Sequence, residues 1–203
     1  MPRQSVAVPH SELLTRCDRH SEVIRGLVGV GPHLQKLLAE LVMIRLFDEF
    51  QDALAGIALR LACGTPYVDG TAPGLLTSPA KSTASARALY ENFGRPKPKY
   101  PMWSKANFIN DTTKYVLDAS DPFRVACSAN GSVIADMQAV RNRIAHANAR
   151  SREAFADVVK RHYGAKRNNV SPGTLLLSPR FLPTLLERYI VTCRVIATAC
   201  AKA

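Results

Sequence analysis

Six apolar side chains, Met43, Phe47, Phe50, Leu54, Ile57 and Leu61, recur at intervals of three and four along one uninterrupted segment. At 3.6 residues per turn this spacing lines one face of an α-helix, and a stripe of that length has to be buried against other elements. Arg45, Asp48, Glu49 and Asp52 fall on the opposite side. The pattern predicts a helix over about residues 33–63, closed by Gly64. Nowhere do apolar and polar residues alternate long enough to argue for a sheet, although Thr174 to Leu177 reads as a short extended piece. The expected class is therefore all-α, a helical bundle.

Other segments fit that class. Ser11 reads as the cap of a helix that runs to about Val28 and is broken by Gly26, Gly29, Gly31 and Pro32. Helices are also expected over 80–93, over 104–117 behind Ser104, over 132–149, over 151–163 between Ser151 and Gly164, and from about Arg180 to the C-terminus. Residues 65–79 read as a loop, and 94–101, with three prolines and three basic residues, as an irregular surface connection. A chain of 203 residues with 47% hydrophobic content can bury one substantial core. The reading is one helical domain over 34–203, with residues 1–33 an arm and helix packing on it.

Charge narrows the partners. The 27 Lys and Arg against 16 Asp and Glu give a net charge of +11, which favours a polyanion, nucleic acid first. Residues 1–60 are balanced, seven of each sign. Residues 141–167 instead carry eight basic side chains against only Glu153 and Asp157. Cys17, Cys63, Cys127, Cys193 and Cys200 are scattered, without a Cys-x-x-Cys pair or a Cys/His spacing suited to zinc. A reduced, cytoplasmic setting is expected, with no metal and no cofactor. Met1 to His10 lacks the apolar core of a signal peptide, and Tyr189 to Ala201 is interrupted by Arg194 and too short to cross a bilayer, so no membrane role is expected.

Within the basic region, Val133, Met137, Val140, Ile144 and Ala147 form the expected buried stripe of one helix. Measured from Val140 at about 100° per residue, Arg141 falls near 100°, Asn142 near 200° and His146 near 240°, away from that stripe. These residue types suit RNA cleavage. The 2′-hydroxyl must lose a proton, the 5′-oxygen must gain one, and charge on the phosphorus centre must be stabilised. An imidazole, with an ordinary pKa near 6.5, can act as base or acid at neutral pH. Arg141 offers a planar set of donors to phosphate oxygens, and Asn142, four residues before His146, can orient the ring or the substrate. One imidazole per helix leaves one proton transfer unserved, which a two-fold dimer would supply.

The pattern Arg141-Asn142-x-x-x-His146 resembles the Arg-Asn-x-x-x-His signature of the HEPN ribonuclease superfamily. Arg3 and His10 also fit the looser spacing, in a tail beside Pro9. The order Glu40 to Phe50, Tyr67-Val68, Trp103-Ser104-Lys105, Asp121-Pro122-Phe123, the motif, then Pro172 to Leu177 is similar to the RiboL-PSP-type branch and covers about residues 34–180. The resemblance implies an α-helical bundle, homodimerisation through the motif helices and metal-independent endoribonuclease activity typical of toxin or phage-defence systems. It thereby implies an RNA substrate and an antitoxin or defence partner protein. Arg141, Asn142 and His146 are the expected catalytic residues, and Arg143, Arg150, Arg152, Arg161 and Arg167 the expected RNA-binding ones.

One position departs from the pattern: Asn148 stands where HEPN toxins paired with nucleotidyltransferase antitoxins carry Tyr, so regulation by modification of that Tyr is not expected. Asp48, Glu49 and Asp52 read either as partners of Arg141 or as solvated charges. Trp103, Phe123 and Tyr100 read as core anchors, and His162 as a residue placed for a helix C-terminus. Two other functions fit less well. A non-catalytic HEPN module binding RNA or protein would not need all three motif residues, and a helix-turn-helix regulator would need a basic second helix, whereas the helix after Ala147 to Ser151 carries its charge at both ends.

Overall fold

The computed structural model describes residues 5–203; Arg3 lies outside the described residues. The described residues form nine α-helices: α1 (Ala7–Arg25), α2 (Pro32–Ala62), α3 (Thr83–Asn92), α4 (Ala106–Thr113), α5 (Pro122–Ala129), α6 (Gly131–Ala145), α7 (Ala149–Tyr163), α8 (Pro172–Leu176) and α9 (Leu185–Ala201). No strand occurs among them, and one isolated antiparallel bridge joins Leu75 to Leu117. Among the described residues, no helix is long and apolar enough to cross a membrane. The stripe on α2 is buried throughout, from Met43 to Leu61, and Val42, Leu46 and Ala58 join it.

Differences from the sequence expectations have local causes. α1 begins before Ser11, because the Ser5 hydroxyl accepts from the Ala7 N–H and Pro9 sits in the first turn, where a missing N–H does no harm. α5 is an additional helix, started by Asp121, whose carboxylate accepts from the Phe123 N–H, with Pro122 at its first position. The piece read as extended, Thr174 to Leu177, lies in and just beyond α8, which Ser171 caps and Pro172 opens. α6 ends at Ala145, and α7 is capped by Asn148 rather than Ser151. Gly164 closes α7 in the left-handed conformation at φ 74°.

The chain divides into two compact units. One takes the residues up to Leu14, Phe50–Ile134 and Arg194–Ala203. Its centre is tied by Asp121, buried, which accepts from the Tyr67 hydroxyl at 2.6 Å, the Gly74 N–H at 3.0 Å and the Phe123 N–H at 3.1 Å. Burial, then the bond to Asp121, pushes the Tyr67 phenol far above its ordinary pKa. Tyr90 donates to the Ala58 carbonyl at 2.8 Å. The Arg95 guanidinium is spent inside the unit, on the Asp111 side chain, the carbonyls of Asp111 and Thr112, and, through Nε, Tyr90 O.

The other unit takes Thr15–Glu49 and Ala135–Cys193. Met137 and Val140 of α6, Phe155, Val158 and Val159 of α7, Leu175 and Leu176 of α8 and Leu186 of α9 are buried in it. α8 approaches α2 so closely that a Cβ at Gly173 would lie 2.7 Å from the Lys36 carbonyl oxygen. The Gly173 N–H donates to Glu40 Oε1 at 2.8 Å, which gives a buried helix end its acceptor.

Candidate active site at the α6–α7 corner

All three motif residues lie in the second unit, at the C-terminal end of α6. His146 stands just past the last residue of α6, but its N–H still donates to the Asn142 carbonyl at 2.9 Å. That bond keeps the α-helical relation, so Asn142 and His146 remain one turn apart on one face. His146 is exposed, while Arg141 and Asn142 are half-buried. The expected stripe holds at Met137 and Val140; Ile144 is half-buried, Ile134 is buried in place of Val133, and Ala147 lies exposed beyond the helix.

The backbone at this corner is fixed by side chains. Asn148 Oδ1 accepts from the Ser151 N–H at 2.8 Å. The Ser151 hydroxyl, itself buried, lies 2.6 Å from the His146 carbonyl and 2.9 Å from the Asn148 carbonyl. Arg152 donates to the Ala147 carbonyl at 3.1 Å. Three residues, 146–148, thus connect two helices with every turn carbonyl engaged, so the imidazole projects from a firm base. Asn148, the position that departs from the HEPN toxin pattern, serves here as a helix cap.

Arg141 is held by Asp48 of α2, through Nη2 at 3.1 Å and Nε at 3.3 Å to Oδ1. The Asp48 side chain is 44% exposed and that of Arg141 27%. A carboxylate on the guanidinium uses the same donors that a phosphate would take. Of the other two acidic candidates, Glu49 is engaged by Arg16 at 3.4 Å and His20 at 2.8 Å, and Asp52 is exposed.

The expected RNA-binding arginines are in different states. Arg143 is half-buried and Arg150 exposed. Arg152 is engaged with the Ala147 carbonyl. Arg161 is paired with Asp136, and Arg167 lies over the Tyr163 ring, 4.7 Å from its centroid. Sequence reasoning passed over Asp136 and read Ser151 only as a helix cap. Asp136 also meets His162 Nε2 at 3.5 Å, and the His162 ring packs edge-on against Phe181 at 5.8 Å. Burial works against ionisation of Asp136, but His162 and Arg161 outweigh it and hold its carboxyl below the ordinary value. His162 is therefore a carboxylate partner rather than a residue placed only for a helix end. Among the described residues, no three His, Cys, Asp or Glu side chains gather to hold a metal ion.

Compared with family models, curated proteins and solved structures, the chain matches none.

Proposed function

We propose that this protein is a metal-independent endoribonuclease of HEPN type, acting as a toxin or phage-defence effector in the cytoplasm. A single observation carries this reading: His146, Asn142 and Arg141 share the end of one helix, with the imidazole exposed and its backbone clamped. In this reading one imidazole takes the proton of the 2′-hydroxyl as that oxygen bonds to phosphorus. The 5′-oxygen leaves with a proton from a second acid, and Arg141 neutralises the charge on the phosphoryl oxygens. Asn142 orients the ring or the substrate. The second imidazole comes from a two-fold partner docked through the motif helices. RNA phosphates upstream and downstream meet Arg143, Arg150, Arg152, Arg161 and Arg167.

The Arg141–Asp48 pair gives this site a resting state, because the phosphate-binding donors are covered until an anion displaces the carboxylate. The same pair favours a second reading, a non-catalytic RNA- or protein-binding module in which Arg141 simply braces α6 against α2. Incubation of the purified protein with total RNA in EDTA separates the two. Cleavage leaving 2′,3′-cyclic phosphate ends supports the enzyme and intact RNA supports the module, while cleavage seen only after Mg²⁺ is added rejects the metal-independent mechanism. Light scattering that gives a monomer mass while cleavage persists would reject the two-imidazole site.

A further inference from the structure

Tyr100 is 72% exposed, so it is no core anchor, whereas Phe123 is wholly buried as expected. With Pro101, Trp103, Arg87 of α3 and Ala55 and Leu59 of α2, Tyr100 lines a shallow, open hollow in the first unit. The hollow is too shallow to enclose a ligand, but a flat ring can lie against its aromatic wall. Trp103 is positioned there by two ring contacts. Its ring stands edge-on to Tyr90 at 5.8 Å and 87°, and to Phe123 at 6.5 Å and 82°.

The surrounding segment is strongly basic. Residues 81–105 carry six Lys and Arg against Glu91 alone. Arg95 and Lys99 are committed to Asp111, whose carboxyl is held far below its ordinary pKa by hydrogen bonds from Lys114 and Lys99. Lys81, Arg87 and Lys97 are exposed and have no carboxylate partner among the described residues.

We propose that this hollow is a base-stacking platform for single-stranded nucleic acid. Tyr100 and Trp103 offer aromatic surface to a base, and Arg87, with the neighbouring lysines, meets the backbone phosphates. An acidic peptide would satisfy the cations but leave the aromatic surface without purpose. A proline-rich peptide would use the aromatics but not the charge. A nucleotide chain alternates a flat ring with an anion and uses both. The platform lies apart from the motif in sequence and does not depend on His146 moving protons.

Trp103 is the chain's single tryptophan, so its fluorescence reports on the hollow directly. Titrate the whole protein with short oligo-deoxythymidylate, which lacks the 2′-hydroxyl and cannot be cut by the proposed chemistry; binding is then read separately from cleavage. The single strand should quench Trp103, while duplex DNA, polyglutamate and a polyproline peptide should bind more weakly and quench less. Tyr100→Ala, at an exposed position that cannot threaten the fold, should weaken single-strand binding by roughly 5- to 150-fold. Arg87→Ala should weaken it further and flatten its salt dependence. The proposal is overturned if single-strand binding leaves Trp103 fluorescence unchanged or is indifferent to Tyr100→Ala, or if either peptide matches the single strand.

Discussion

Asp121 and Asp48 are both carboxylates that join separate helices and loops, yet they do opposite work. Asp121 is 2% exposed and saturated by a hydroxyl and two backbone N–H groups. Asp48 is 44% exposed and holds one guanidinium. A buried carboxylate with every donor turned towards it cannot be exchanged without leaving those donors unsatisfied. A half-exposed pair can be opened by any competing anion, because water replaces what is lost. The first region is therefore built to persist and the second to exchange.

Substitutions should divide along that line. The largest effect is expected from His146→Ala at the exchangeable corner: RNA cleavage in EDTA should fall by on the order of 10²–10⁴-fold, with circular dichroism and melting temperature unchanged. A variant that cuts at the parental rate would remove His146 from the chemistry. Asp121→Ala should instead cost on the order of 3 kcal/mol of stability, since three donors lose their acceptor. Its melting temperature should drop by roughly 6–12 °C. A shift within error would mean that the Tyr67 and Gly74 loop is not held by this residue.

Asp136 gives a smaller effect that depends on pH. Its folded carboxyl titrates below the ordinary value of 3.8, so its ion pairs contribute stability above that value and the contribution is lost as pH falls through the lowered one. In acid melts from about pH 4 downward, the parent should lose stability more steeply than Asp136→Asn. Parallel curves would show that Arg161 and His162 do not stabilise the folded carboxylate. The smallest effect belongs to Asp48→Ala, which should change stability by no more than about 1 kcal/mol. RNA binding at low salt should strengthen by roughly two- to fivefold. Weaker binding would make Asp48 a necessary brace for Arg141 rather than its competitor.

Long-range periodicity was legible and short-range detail was not. The α2 stripe from Met43 to Leu61 could be read because about five helical turns repeat one signal. α5 and α8, of eight and five residues, offer too few repeats. There the informative signals were Asp121-Pro122 and Ser171-Pro172, a cap followed by proline at the first helical position. At the candidate site, the spacing of Arg141, Asn142 and His146 was visible, and Asp48 could be weighed as a partner. The Ser151 clamp could not be, since a side chain bonding a carbonyl five residues back leaves no pattern in residue type. Tyr100 misled for a related reason. Its aromatic character argued for the core, while its neighbours Pro98, Lys99 and Pro101 argued for the surface, and the backbone's inability to enter regular structure there prevailed.

The corner between α6 and α7 also limits how this chain can vary. His146 supplies the carbonyl that Ser151 holds, Ala147 the one that Arg152 holds, and Asn148 the cap of the next helix. With no spare residue among the three, a single insertion or deletion would take the Ser151 hydroxyl and the Arg152 guanidinium off the carbonyls they hold. Loop length here is thus tied to the hydrogen bonds of the corner: chains that keep Ser151 and Arg152 in these contacts should tolerate other changed side chains on α7 far more readily than a changed residue count before it.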